Sequence, residues 1–307
     1  MNRLSRVKLR HLEIFVEIAR LKSVSKAATY LNLTQPAVTR TLRELEEIAG
    51  KPLVEKDGRG IRLSHYGNLF LRYAGTSLAA ARNGIEALSK LSLADGPPVR
   101  IGALPTVSAT IAPRAVYRFL QTGIRNRPKI VTGENQVLLS QLRGGELDLV
   151  IGRLPPSDIM QGLVFEPLYR DKVVFVVAAH HPLANAADVP LQQLDAYPVL
   201  LPPAGSIIRP IVDQLFVERG ITDPAQIVET VSDSFGRAFV RAYQAIWIIS
   251  RGVVQAELDS GDFATLAIDT HSTLGSVGLI SRATDVLPAA TQQFASIVRE
   301  TVRAFPD

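Results

Sequence analysis

No cysteine occurs among the 307 residues. That excludes disulfides, thiolate metal sites and a cysteine nucleophile together, and it agrees with a reducing compartment. Long apolar runs are missing as well. The longest, residues 173–179, falls far short of the ~20 residues needed to cross a bilayer. Arg10, His11, Glu13 and Glu17 interrupt the basic N-terminus, so no signal-peptide core is expected there. The sequence reads as cytoplasmic, with no membrane partner. Its histidines, His11, His65, His180, His181 and His271, are scattered without metal-ligand spacing. No Gly-x-Ser-x-Gly elbow, Walker loop or His-Glu-x-x-His occurs. The expectation is therefore a protein that is not an enzyme and holds no metal or cofactor.

What is present is an ordinary globular composition, 47% hydrophobic and 21% charged, with a length that suggests about two domains. The net charge is +5, but it is unevenly placed: residues 1–63 carry +6 and the remainder −1. A small basic head on a neutral body suggests that the head meets a polyanion.

The head has a readable pattern. Leu9, Leu12, Phe15, Val16 and Ala19 recur at helical spacing over residues 8–20. A short second helix spans 25–31, with the small pair Ala27 and Ala28. Asn32 and Leu33 make a turn, and Thr34 is a good N-cap for a third helix with Pro36 in its first turn. Val38, Leu42, Leu45 and Ile48 form that helix's buried stripe, leaving Gln35, Thr39, Arg40 and Arg43 on the other face. This is a helix-turn-helix pattern, with hydrogen-bond donors near the start of the helix that would enter a major groove. Two strand-like runs, 53–56 and 61–63, flank Asp57-Gly58-Arg59-Gly60, a hairpin signal that puts Arg59 at the tip of a wing.

Leu12-x-x-Phe15, Ser23-Val24-Ser25-Lys26-Ala27-Ala28, Leu31 and Thr34-Gln35-Pro36-Ala37-Val38-Thr39 resemble the N-terminal signature of LysR-type transcriptional regulators. Leu42-x-x-Leu45-Glu46, Gly50, Leu53, Gly58-Arg59-Gly60 and Leu63-Ser64-x-x-Gly67 continue it. Val54 and Lys56 stand where the family usually has Phe and Arg. The resemblance implies a winged helix-turn-helix DNA-binding domain at 1–63, a linker and dimerisation helix at 64–95 and an α/β effector-binding domain at 97–307. It implies double-stranded DNA as partner, with Ser25, Thr34, Gln35, Pro36, Thr39, Arg40, Arg43 and Arg59 as the contact set. It further implies contact with RNA polymerase and a homotetramer, a dimer of dimers.

Residues 64–93 read as one long helix. Leu71, Leu78 and Ile85 repeat every seven residues, as do Ala74, Ala81 and Leu88, an a/d seam for a second copy. A single amphipathic helix packed on its own domain gives the same pattern. Asp95-Gly96-Pro97-Pro98 marks a boundary.

Beyond it, strand candidates at 99–104, 129–132, 147–151, 173–178, 198–201, 227–231, 245–249 and 278–281 alternate with helical patterns. Those helices fall at 111–120, 136–143, 208–219, 234–243, 253–259 and 289–304. Such alternation predicts an α/β body with mainly parallel sheets, and ligands there collect beyond strand ends. The turns in question are 105–108, 133–135, 152–154, 203–206 and 232–234. They offer hydroxyls, an amide and one arginine, which suits a small anion. Serine and threonine at such turns also serve as N-caps, and Arg153 could pair with Asp148 or Glu146. The resemblance implies two hinged subdomains like those of periplasmic binding proteins, with Thr106, Ser108, Asn135, Arg153 and Ser206 around a metabolite. Residues 101–108 and 131–135 resemble the subgroup that activates protocatechuate catabolism; a related subgroup governs sugar uptake. The predicted effector is a small di- or tricarboxylic acid. A solute-binding protein would suit the body alone, and an architectural DNA binder the head alone.

Overall fold

The computed structural model describes residues 3–58, 60–89, 96–220, 224–283 and 286–304. Arg59 lies outside the described residues, and so does the side chain of Leu88.

In the head, α1 (Leu9–Leu21), α2 (Val24–Tyr30) and α3 (Gln35–Ala49) close around Phe15, Ile18, Ala27, Val38 and Leu45, all buried. The Ser23 hydroxyl accepts from Lys26 N at the start of α2, and the Thr34 hydroxyl accepts from Ala37 N at the start of α3. Asn32 takes the left-handed conformation, φ 54°, that the tight turn between them demands. Strands β1 (Val54–Asp57) and β2 (Gly60–Leu63) pair antiparallel as the wing, turning at Gly58 with φ 55°. Glu46 ties this wing to α3, its Oε1 accepting from Leu53 N at 2.7 Å and Val54 N at 3.2 Å.

Helix α4 (His65–Ser89) follows, started by Ser64, whose hydroxyl donates to Pro52 O and accepts from Gly67 N. Its apolar repeat is real, but the expected seam is corrected in part. Leu71, Ala74 and Leu78 pack into the head's own core beside α1, and Phe70 meets Phe15 at 5.5 Å between ring centroids. A seven-residue spacing records that a face is covered, not by which chain. Ile85, by contrast, is 66% exposed, and Leu69 and Tyr73 also face outward.

Among the described residues the body has two sheets, each of five strands. Through its first half run β3 (Val99–Ala103), α5 (Pro105–Ser108), α6 (Ile111–Leu120), β4 (Pro128–Thr132), α7 (Asn135–Arg143), β5 (Leu149–Arg153) and β6 (Leu163–Asp171). The chain then crosses at Lys172 into a second sheet. That half comprises β7 (Val173–Ala178), β8 (Val199–Leu201), α8 (Arg209–Arg219), β9 (Ile227–Glu229), α9 (Asp233–Ala242), β10 (Ile246–Ser250), α10 (Gln255–Ser260) and β11 (Phe263–Thr265). It returns as β12 (Gly275–Arg282), with α11 (Ala289–Arg303) packed through Phe294 on Phe119 of α6. The sheet orders are β4-β3-β5-β12-β6 and β11-β7-β10-β8-β9.

Two sequence expectations change here. The sheets are mixed rather than mainly parallel, because β12 returns between β5 and β6 antiparallel to both, and β7 does the same between β10 and β11. Strand β6 was not expected at all. Pro167 interrupts its pattern, yet it lies on an edge strand opposite Gly278, where the register shifts.

Linker and body touch at one close approach. A Cβ on Gly75 of α4 would lie 2.1 Å from Arg143 O at the end of α7, and one on Gly145 would lie 2.5 Å from the Ala79 side chain. Only glycine lets these backbones meet.

Candidate functional site

The outer face of α3 gathers Gln35, Pro36, Thr39, Arg40, Arg43, Glu44 and Glu47 in one shallow exposed concavity. Gln35, Arg40 and Arg43 point to solvent. Other members of the expected DNA set are engaged locally. The Thr34 hydroxyl caps the helix, the Thr39 hydroxyl donates to Gln35 O at 2.9 Å, and Ser25 Oγ lies 3.1 Å from Ser23 Oγ. Arg40 is 83% exposed and its Nε meets Glu44 Oε1 at 3.0 Å. Sequence reasoning did not single out Glu44, since acidic residues on a DNA-facing helix give no local signal of a role.

The second site is a cavity of about 500 Å³ between the two subdomains. Four of the five expected turns line it, through Thr106 and Ser108, Glu134 and Asn135, Ser206, and Ser232 to Ser234. Thr132, Thr230 and Ser250 add hydroxyls, and Leu104, Ile207, Trp247, Ile249 and Val253 give an apolar wall. Helices α7, α8 and α9 all begin at this cavity, so backbone N–H groups and positive helix ends converge on it. Asn135 is 5% exposed and its Oδ1 has no hydrogen-bond partner. Ser108 Oγ donates to Pro105 O and Ser206 Oγ accepts from Ile208 N, so those two hydroxyls are partly spent within their own turns.

Arg153 is the correction. It does not line the cavity. Its side chain is 2% exposed and runs between the two crossovers, donating to Asp171 O at 2.9 Å and to Thr273 O. Its NH1 lies 3.4 Å from Ser250 Oγ, a cavity residue. The guanidinium is thus consumed by hinge carbonyls. Burial pulls its pKa down, offset by the Asp171 charge, and burial pushes the Asp171 carboxyl up.

Among the described residues, no lysine, arginine or histidine lines the cavity. Asp233 does line it, and burial raises its pKa above the ordinary carboxylate range, with Arg237 opposing and Glu257 adding to the rise. The Ser232-Asp233-Ser234 turn was visible in the sequence, but a search for anion-binding donors passes over an acid. A separate groove of about 680 Å³ separates the head from α7. Its arginines are committed: Arg20 to Glu17, Arg62 to Glu55, and Arg143 to the carbonyls of Ile159 and Gln161.

Comparison with known proteins finds separate matches for the head and for the body. Residues 9–68 match the family described as "Bacterial regulatory helix-turn-helix protein, lysR family", and residues 94–303 match "LysR substrate binding domain". The HTH-type transcriptional regulator PcaQ of Agrobacterium fabrum is 51% identical over 278 residues, covering 91% of this chain and 89% of that protein. Among solved structures, the Corynebacterium glutamicum OxyR C206 mutant superposes with TM-score 0.56 at 25% identity, covering 98% of this chain and 93% of that one. Full-length CbnR complexed with its target DNA has TM-score 0.56 at 21% identity, covering 96% and 100%, and shows the likeness of fold.

Proposed function

The chain belongs to the LysR family of DNA-binding transcriptional regulators, and from that premise we propose that it activates genes of protocatechuate catabolism in response to a small di- or tricarboxylic acid. The observation that carries the effector reading is the convergence of three helix N-termini on one cavity, whose backbone N–H groups suit a carboxylate, while the buried, unpartnered Asn135 Oδ1 beside them would accept from a hydroxyl of the same ligand. A carboxylate there would take backbone N–H groups in place of the cation that Arg153 does not supply. Likeness to PcaQ supports the pathway.

A second reading is favoured by one specific feature. A cavity with Glu134 and Asp233 and no basic side chain among the described residues also suits a neutral sugar, whose hydroxyls would donate to the carboxylates. Isothermal titration with carboxymuconate, muconate, protocatechuate and galactose separates the two. At least one acid is expected to bind, and Asn135→Ala is expected to weaken it more than Ser108→Ala, whose hydroxyl is already spent on Pro105. Binding of galactose alone would overturn the acid reading.

We read the protein as cytoplasmic, divided as winged head 1–63, linker helix 64–95 and effector domain 97–307, with no catalytic step of its own. In this reading it works as a dimer of dimers beside RNA polymerase. The exposed apolar side chains of α4, Leu69 and Tyr73 on one face and Ile85 about a third of a turn round from them, are the surface that a second copy would cover. Tyr73→Asp with Ile85→Asp should therefore halve the particle mass in light scattering while leaving the head folded. An unchanged mass would place the dimer contact elsewhere.

A further inference from the structure

Glu44 stands one turn beyond Arg40 on the exposed face of α3, and its carboxylate is held from two sides. Oε1 takes the Arg40 Nε–H at 3.0 Å, and Oε2 lies 3.6 Å from Nε2 of His11 on α1. His11 is 5% exposed, and its Nδ1 accepts the backbone N–H of Lys8 at 3.2 Å. A ring nitrogen that accepts carries no hydrogen, so in the neutral ring the hydrogen is on Nε2, toward Glu44. The bond from Arg40 holds the Glu44 carboxyl below its ordinary range. The chain Lys8–His11–Glu44–Arg40 therefore runs from the start of α1 to the tip of the recognition surface.

The guanidinium geometry gives this chain a purpose. An end-on contact with guanine O6 and N7 uses the two terminal amino groups and leaves Nε–H over. A carboxylate on Nε–H occupies that edge, orients the plane and keeps the terminal groups free. An unrestrained arginine, long and flexible, would spread its contacts among phosphates, which carry no sequence information. We propose that Glu44 is a positioning residue that fixes Arg40 for a single base, and so sets sequence discrimination at that base rather than overall DNA affinity. The proposal rests on Arg40 reading a base.

Glu47 supplies the control. It shares the same concavity and charge but is not ion-paired with Arg40. Loss of either carboxylate removes one repulsive charge from the DNA-facing helix, and only loss of Glu44 releases Arg40. The test is selection from a randomised duplex library with the full chain, followed by base-by-base affinities for the selected site. Arg40→Ala should abolish a guanine preference at one position in each half-site. Glu44→Ala should reduce the preference at that same position about tenfold, with the other positions unchanged. Glu47→Ala should leave the whole profile as in wild type. Melting curves of the three variants confirm that each head is folded. A Glu44→Ala profile equal to that of Glu47→Ala, or altered at a different base, overturns the positioning role alone. An unchanged profile in Arg40→Ala overturns the base reading beneath it as well.

Discussion

Arg153→Ala is expected to lower the stability of the effector domain by on the order of 3–5 kcal/mol. The side chain donates to Asp171 O and Thr273 O, one on each crossover, and both carbonyls are left without it when it is cut back. The Asp171 carboxyl, already unpartnered at Oδ2, then loses its main countercharge in the interior and keeps only the weaker pull of Arg251. The loss carries its own pH signature. Burial raises the Asp171 pKa in the folded state, so the native protein binds its proton at higher pH than the unfolded chain does. Stability from this group therefore falls as pH rises from the ordinary aspartate value through the raised one. Removing Arg153 raises that pKa further, so the deficit should be largest at neutral pH and should shrink on acidification. Urea denaturation of wild type and variant across that range measures it. Arg153→Lys should recover only part, because a point charge cannot span two carbonyls. A variant that unfolds like wild type would show that the hinge does not depend on this side chain.

Arg40→Ala should weaken binding to the selected operator by about 1–3 kcal/mol, roughly five- to 150-fold, if its guanidinium meets a guanine. Binding to unrelated duplex should change far less, since the lost contact is to a base edge and not to phosphate. Fluorescence anisotropy on operator and scrambled duplex at one salt concentration gives both numbers. Equal losses on the two duplexes would assign Arg40 to the backbone instead.

Much of this architecture was legible because periodicity reports covered faces. The spacing of Val38, Leu42 and Leu45 puts α3 where it is found, and the strand-end turns lead to the cavity through Thr106, Asn135 and Ser206. The failures share a cause: sequence spacing says nothing of depth or of which partner covers a surface. Arg153 at a strand end reads as a ligand cation or a surface pair, and only the crossing of two chain segments above it shows why it is buried. Leu71 and Leu78 are covered by α1 of their own chain. His11 and Glu44 lie on different helices, and their meeting follows from how α1 packs on α3.

Helix α7 begins at the cavity with Asn135 and ends at Arg143, whose carbonyl rests against Gly75 of the linker helix. Its nine residues form a rod of roughly 12 Å, too short to bend appreciably and anchored by buried Leu138, Leu139 and Leu142. The two ends therefore cannot report different positions. Linkage then makes a demand that runs backwards: whatever factor an effector imposes on operator affinity, the operator imposes on effector affinity. A DNA-saturated regulator is by that rule a differently tuned sensor from a free one, and the metabolite concentration at which it responds depends on how much of it is already seated on its promoter.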